Sequence, residues 1–360
     1  MPTVGWVRLE EITQMTCGII SVHTNALLMY LIIAKSPPKL GSYKWLMLYT
    51  SSFEFFYAFV NLFAGPSVHT YGSAFIVFQD MRNFLFSHQV AQFLVCLYCS
   101  CFGFSMAVFG GHFIYRYGAI DTVFREKYLA GAKQVLLYVF PFFYGILWGI
   151  ICWVYYGETP ERTEYLRDTM LENYRLNISD CAYISAHFWP FDEHRNVYPD
   201  SDSFLGIAIM WGILGSSAIS VIYFGLACYR WLTKKLGEME SVSESMKSLQ
   251  KQLFNALLIQ SAIPLFLMYL PAGMVFIFPM LNTELNLKYP FIGLTIAVYP
   301  AIDPLPTMII IRSYRRGCWE LFRAITCRKN PRIDVHHSNL PSTTAAGTPK
   351  ADNISSYLTN

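Results

Sequence analysis

Seven apolar stretches, at roughly 12–34, 45–64, 86–111, 135–156, 204–229, 253–278 and 289–311, constrain this chain more than any motif in it. A helix needs about 20 mostly apolar residues, at a rise of about 1.5 Å each, to span the hydrocarbon core of a bilayer. A soluble domain of 360 residues could not keep that many apolar helices out of water. Only 14% of the residues are charged, against about 25% in ordinary soluble domains. The expected fold is an all-α membrane protein, a seven-transmembrane helix bundle occupying 12–312. The net charge of +3 and the lack of a basic stripe exclude nucleic acid as an expected partner. The first apolar run starts at Ile12 without a basic lead-in and is long enough to span, so it reads as an uncleaved first helix.

Loops between spans alternate sides, which lets Lys and Arg be assigned to one side or the other. The side holding the 34–45, 112–134 and 230–252 loops and the tail collects 20 of the 27 basic residues. Cytoplasmic loops carry that excess. Residues 1–11 are therefore expected outside as a short amino terminus, and the carboxyl terminus inside.

The outer 157–203 loop is long and holds ten acidic residues against four arginines. It reads either as a solvated loop kept polar by its charge or as a lid whose acidic rim favours neutral or cationic ligands. Asn177-Ile178-Ser179 within it is a glycosylation sequon on the usable side, whereas Asn353-Ile354-Ser355 lies inside and should stay bare. Cys96, Cys99 and Cys101 are split across helix faces with no histidine set beside them, so no metal or cofactor is expected. Cys181 is the one cysteine in an outer loop. Counting about 20 residues, or roughly 30 Å, back from Arg116 puts Cys96 near the outer boundary. A Cys96–Cys181 disulfide is thus open, with a buried free Cys96 as the alternative.

Charges inside spans are costly and point to function. Glu54 lies midway along the second span and Asp303 in the inner half of the seventh. Asp303 belongs to Pro300-Ala301-Ile302-Asp303-Pro304-Leu305-Pro306, where three prolines remove backbone donors and bend the helix. Pro264, Pro271 and Pro279 bend the sixth span beside Gln260. Glu54, Gln260, Pro264, Asp303 and Pro304 are the candidate switch residues, a static kink with a fixed carboxylate being the alternative.

Several short motifs occur in order. Leu40-Gly41-Ser42-Tyr43-Lys44 leads into the second span and Val68-His69-Thr70-Tyr71-Gly72 follows it. His112-Phe113-Ile114-Tyr115-Arg116-Tyr117 ends the third. Gln252-Leu253-Phe254, Ile263-Pro264 and Met268-Tyr269-Leu270-Pro271 shape the sixth, and Asp303-Pro304-Leu305-Pro306 with Tyr314-Arg315 closes the seventh. Together they resemble the nematode Str-type serpentine chemoreceptors of class r, from about residue 10 to 325. The resemblance implies a rhodopsin-like G-protein-coupled receptor architecture and an odorant-type receptor in the plasma membrane of chemosensory neurons, in their sensory cilia. Tyr115-Arg116-Tyr117 stands in the place of the acidic-Arg-Tyr signature of rhodopsin-like receptors, without the acid. Asp303-Pro304 stands in the place of their Asn-Pro hinge, without its tyrosine.

On that reading a small odorant or soluble chemical binds between the outer halves of the third, fifth, sixth and seventh spans. Gln92, Tyr98, Trp211, Tyr269 and Thr295 are candidate lining residues, with ordinary helix packing as the alternative for each. Tyr115, Arg116, Tyr117, Lys234, Lys235 and Arg315 would meet a heterotrimeric G-protein α subunit, or the lysines anchor to lipid head groups. Residues 313–329 form an amphipathic juxtamembrane segment with Cys318 and Cys327 as palmitoylation candidates. Residues 330–360 read as a disordered tail, with Ser342, Thr343, Thr344 and Thr348 open to phosphorylation and arrestin recruitment. No enzyme motif is present. The rival reading is a ligand-gated seven-helix cation channel, which in its insect form requires the opposite orientation.

Overall fold

The computed structural model describes residues 4–82, 84–234, 244–283 and 291–326. Seven helices make the bundle: α1 (Val4–Lys35), α2 (Tyr43–Ala64), α3 (His88–Gly118), α4 (Leu136–Tyr155), α6 (Ser201–Lys234), α7 (Glu244–Met280) and α8 (Ile292–Ile310). Outside it lie strands β1 (Ser67–Tyr71), β2 (Ala74–Asp80) and β3 (Cys181–His187), helix α5 (Pro160–Tyr174) and helix α9 (Arg312–Thr326). The chain up to Glu320 forms one compact unit.

Among the described residues six helices are long and apolar enough to cross a membrane. The other bundle helix, α2, has 22 residues and carries Thr50, Ser51, Glu54 and Asn61, all buried. These polar side chains are turned into the protein rather than toward lipid. Helix α1 starts at Val4, eight residues before the apolar run begins. The lipid-facing surface is apolar, as Phe140, Phe142, Phe143, Ile146, Ile150 and Trp153 of α4 are all exposed. In lipid no hydrophobic force drives helices together, so close packing of small residues does that work. A Cβ at Gly145 of α4 would sit 3.0 Å from the Ser100 carbonyl of α3, so only glycine lets the two backbones meet. Helix α3 runs through the centre and is buried on nearly every face.

The helix breaks follow from proline. Pro264 precedes a widened π turn at Leu265–Tyr269 in α7. In α8 the helix is interrupted at Asp303, between Ile302 and Pro304.

At one end of the bundle β1, β2 and β3 form an antiparallel sheet in that order, with Val68 opposite Val77 and Val77 opposite Ile184. The β1–β2 hairpin turns on Gly72-Ser73, Gly72 holding φ 50°. Val68, Phe75, Val77 and Ile184 face the bundle core, while Ala74, Ile76, Phe78 and Tyr183 pack under α5 against Leu166, Met170 and Tyr174. Pro160 opens α5 and the Thr159 side chain accepts from the Arg162 N–H as its cap. Leu166 and Met170 are fully buried, each worth about 1.5–3 kcal/mol in a layer that faces water. The 157–203 segment is thus a folded layer, where the sequence suggested a loop.

The Cys96–Cys181 bridge is not formed. Both are free and buried, and Cys181 Sγ donates to the Asn177 carbonyl at 3.6 Å on the α5 side of the sheet, away from α3.

Candidate functional site

Directly beneath the sheet lies a cavity of about 50 Å³. The sheet supplies its roof through Val68, Phe75, Val77 and Ile184, and α3 its floor through Tyr98, Cys99 and Phe102. Trp148 and Cys152 of α4, Met210 of α6, Phe276 of α7 and Ile296 of α8 close the sides. All of these residues are buried, and no charged side chain among the described residues lines the space. Such a pocket selects by shape and apolar contact. The layer that carries the roof is tied to the bundle: Trp189 Nε1 donates to the Met280 carbonyl at the end of α7 at 2.8 Å. Glu158 holds the Tyr183 N–H at 3.0 Å and His88 Nε2 at 2.9 Å, linking β3 to the start of α3.

Mid-bundle, a polar cluster follows from the prolines of α8. Pro304 has no N–H to bond the Pro300 carbonyl, so that carbonyl is left open. Ser21 Oγ fills it at 2.9 Å and Asn25 Nδ2 at 3.1 Å, both from α1. Ser51 of α2 donates to Asn25 in turn. Asp303, fully buried, receives Gln260 Nε2 of α7 on both its carbonyl and Oδ2 at 3.1 Å. Thr307 Oγ1 completes the loop by donating to Gln260 Oε1 at 2.9 Å. Tyr299 donates to Glu54 Oε1 at 3.4 Å, so the two intramembrane acids belong to one network spanning α1, α2, α7 and α8.

At the opposite end from the sheet, Arg116 is only 6% exposed. Its Nη2 donates to the Gln250 carbonyl at 3.1 Å and to Gln250 Oε1 at 2.6 Å, and its guanidinium lies 5.3 Å over the Tyr43 ring. His112 beside it bridges Tyr43 and Thr50. An arginine with no adjacent acid is therefore held by an amide and an aromatic face.

The description "serpentine type 7TM GPCR chemoreceptor Str" belongs to the family model that matches residues 10–319. The chain belongs to the Str family. This Str receptor is 33% identical to G-protein coupled receptor str-217 of Caenorhabditis elegans, over 84% of its own length and 86% of that protein's. It is 29% identical to serpentine receptor class r-10 of the same organism, over 92% of this chain and 95% of the other. Squid rhodopsin superposes with a TM-score of 0.57 at 13% identity, covering 95% of this chain and 89% of the rhodopsin, which shows the shared fold. The Str receptor is thus a multi-pass membrane protein and a chemoreceptor of the G-protein-coupled type.

The sequence-expected residues of this Str receptor fall in different places. Tyr98 lines the cavity. Trp211 stands one layer behind, its ring edge-on to Phe276 at 6.4 Å. Tyr269 is deeper and donates to the Met106 carbonyl at 2.7 Å, while Ser217 Oγ donates to the same oxygen. Thr295 Oγ1 donates back to the Ile292 carbonyl of its own helix, and Gln92, half-buried, is not among the lining residues. Missing from the expectation were the sheet residues, Phe102, Trp148 and Phe276, together with Ser21, Asn25 and Gln250. Tyr115 bonds Ser42 at 2.8 Å and Tyr117 bonds Asp121 at 2.9 Å. Arg315 is exposed and donates to the Ile309 carbonyl. Cys318 is half-buried against the α1–α2–α8 core. Lys235, Cys327 and the tail serines and threonines lie outside the described residues, as does the side chain of Lys234.

Proposed function

We propose that this Str receptor binds a small extracellular odorant or soluble chemical in the cavity beneath the sheet and activates a heterotrimeric G protein at its other end. The observation that carries this reading is the apolar cavity, lined by buried residues and roofed by a layer that is itself bonded to α7. The excess of Lys and Arg at the opposite end supports the sheet end being extracellular. A ligand in the cavity touches Phe276 and Ile296, above the π turn of α7 and the break of α8. It shifts the equilibrium only by fitting one arrangement of those helices better than the other. The Gln260–Asp303 bonds join the two bent helices, so they move as a pair or exchange partners. Movement of α7 releases Arg116 from Gln250, and Arg116, Tyr115, Tyr117, Lys234, Lys235 and Arg315 form the surface offered to the Gα subunit. Asn177 carries glycan on the outside, the sensory cilium is the site of action, and the phosphorylated tail recruits arrestin.

The test is nucleotide exchange on a Gα subunit in membranes containing this chain, screened against small volatile and soluble compounds. Ligand-evoked exchange that disappears in Arg116→Ala at normal surface level is the expected result. Ligand-evoked current without any G protein would overturn it.

A further inference from the structure

Beside the apolar cavity a group of buried polar heads gathers between α1, α2, α3 and α8 with too few partners. Glu10 is 3% exposed, and no basic side chain pairs with it among the described residues. A Cβ at Gly293 of α8 would collide with Glu10 Oε1 and stand 3.6 Å from Gln14 Nε2, so these two heads lie side by side against α8. Gln14 Oε1 lies 3.4 Å from the Cβ position of Gly65, which caps α2 by donating to the backbone carbonyl of Asn61. Asn61 is 4% exposed, and neither atom of its amide has a partner. One turn along α2, the buried Tyr57 hydroxyl neighbours that of Tyr98, their rings 5.4 Å apart, and its oxygen accepts from no described donor. Tyr98 lines the cavity, as do Ile292 and Ile296 on either side of Gly293. Gln79 on β2 leaves its Oε1 open above the end of α2.

Buried polar groups are normally paired, so the open Asn61 amide, Tyr57 hydroxyl and Gln79 Oε1 next to a ligand cavity mark a place for a polar group, and the Glu10 carboxyl among them favours one that donates. Charge narrows the choice. The 157–203 layer over this end carries ten acidic residues against four arginines, and two of those arginines are engaged by Asp200 and Glu164. The resulting field draws cations and repels carboxylates. A primary ammonium has three N–H donors, no acceptor and one positive charge. It suits Glu10, Asn61 Oδ1 and the open Tyr57 oxygen, whereas a carboxylate meets Glu10 with like charge.

We propose that this crevice is the head-group site for a small alkylammonium ligand whose apolar tail lies past Tyr98 in the cavity. This rests on the reading that the cavity takes the extracellular ligand, and it adds the ligand's chemical class.

The experiment titrates the full chain in lipid nanodiscs at pH 7.4 with n-pentylamine, 1-pentanol and pentanoate, following tryptophan fluorescence, since Trp148 lines the cavity. The amine is expected to bind about tenfold or more tighter than the alcohol, one such step being 1.4 kcal/mol, and pentanoate not to bind. Glu10→Gln is expected to lower amine affinity about tenfold by the same measure while leaving the alcohol's unchanged, which also shows the variant folded. Asn61→Leu should weaken the amine as well. Equal binding of amine and alcohol, no amine binding, or an amine affinity indifferent to Glu10→Gln would overturn the site. Exchange on Gα driven by other apolar compounds would then leave the chemoreceptor reading standing. Glu10-dependent amine binding that drives no exchange would keep the site and count against the coupling.

Discussion

Arg116 of α3 and Gln250 of α7 are joined by two hydrogen bonds from a single guanidinium nitrogen, the shorter at 2.6 Å. The pair ties the inner end of the central helix to the helix with the π turn. A hydrogen bond to a charged group contributes about 1.5–3 kcal/mol. Removing the side-chain acceptor in Gln250→Leu leaves the backbone carbonyl and the Tyr43 ring as partners. Ligand-free nucleotide exchange should then rise roughly tenfold, since about 1.4 kcal/mol is a factor of ten in a two-state equilibrium. Basal exchange equal to that of the unmodified chain would show that this tie does not hold the resting state.

Asn25 and Ser21 occupy a carbonyl that Pro304 leaves open, so α1 is fastened to α8 at its break. Asn25→Leu removes that donor and one of the two acceptors of Ser51, the backbone carbonyl of residue 25 remaining. Loss of about 1–3 kcal/mol is expected for the unpaired buried groups. Thermal unfolding in detergent measures it, with Thr24→Ala, which removes a longer 3.3 Å bond to Ala301, as the milder comparison.

How much of this was readable beforehand divides along physical lines. The spans were legible because lipid demands apolar runs of about 20 residues, a demand sequence displays directly. The sheet was not. Ala74-Phe75-Ile76-Val77-Phe78 is apolar without alternation, because α5 covers one face and the bundle the other. A strand buried on both sides loses its period-two signature. Helix α5 did leave a trace, in Thr159-Pro160 and the spacing of Leu166, Met170 and Tyr174. Of the five expected lining residues, Tyr98 alone borders the cavity beneath the sheet, for a related reason. Helix α3 is buried all round, so nothing in its sequence tells which face meets the cavity. The open Pro300 carbonyl could be inferred from Pro304, but its donors lie on α1 and only the fold brings them there.

Filling the cavity tests whether it is the receptor site. Ala272 is 5% exposed and lines the space, so a ring added there takes volume that a ligand would occupy. Ala272→Phe costs a ligand about 1–3 kcal/mol of overpacking, roughly a five- to hundredfold loss of potency. Dose–response curves of Gα exchange at matched surface level should show that shift, with basal exchange little changed. Unaltered potency would move the binding site elsewhere.

The outer layer should also be sensitive to acid. His187 is 4% exposed, stacks on Tyr165 at 3.8 Å, and has no partner on either ring nitrogen. Burial pushes its imidazole down to about 4, helped by Arg162 and opposed by Asp200. Burial likewise pushes His69 down to about 4. Both are neutral in the folded layer, whereas the unfolded segment takes up protons as pH falls through about 6.5. The unfolded state then binds more protons, so stability is full above about 6.5 and declines toward pH 4. Amide exchange in 67–80 and 160–187 should lose protection over that interval, and less so in His187→Phe, which keeps an aromatic ring against Tyr165. Protection independent of pH in the unmodified chain would contradict the sign.

Orientation underlies all of these readings, and Asn177 tests it. The residue is exposed at the start of a short turn, Ile178–Asp180, on the α5 side of the sheet, with Ser179 exposed two positions on. Glycan transfer occurs only on the lumenal side and needs an accessible Asn-x-Ser/Thr. If the basic end faces the cytosol, the unmodified chain carries one glycan, Asn177→Gln removes it, and the second sequon at Asn353 stays bare. The gel-mobility shift on glycosidase treatment should therefore vanish in Asn177→Gln alone. A shift that survives Asn177→Gln and is lost in Asn353→Gln would place the sheet in the cytosol, and the acidic layer would then screen the Gα-facing end instead of guiding a cation toward Glu10.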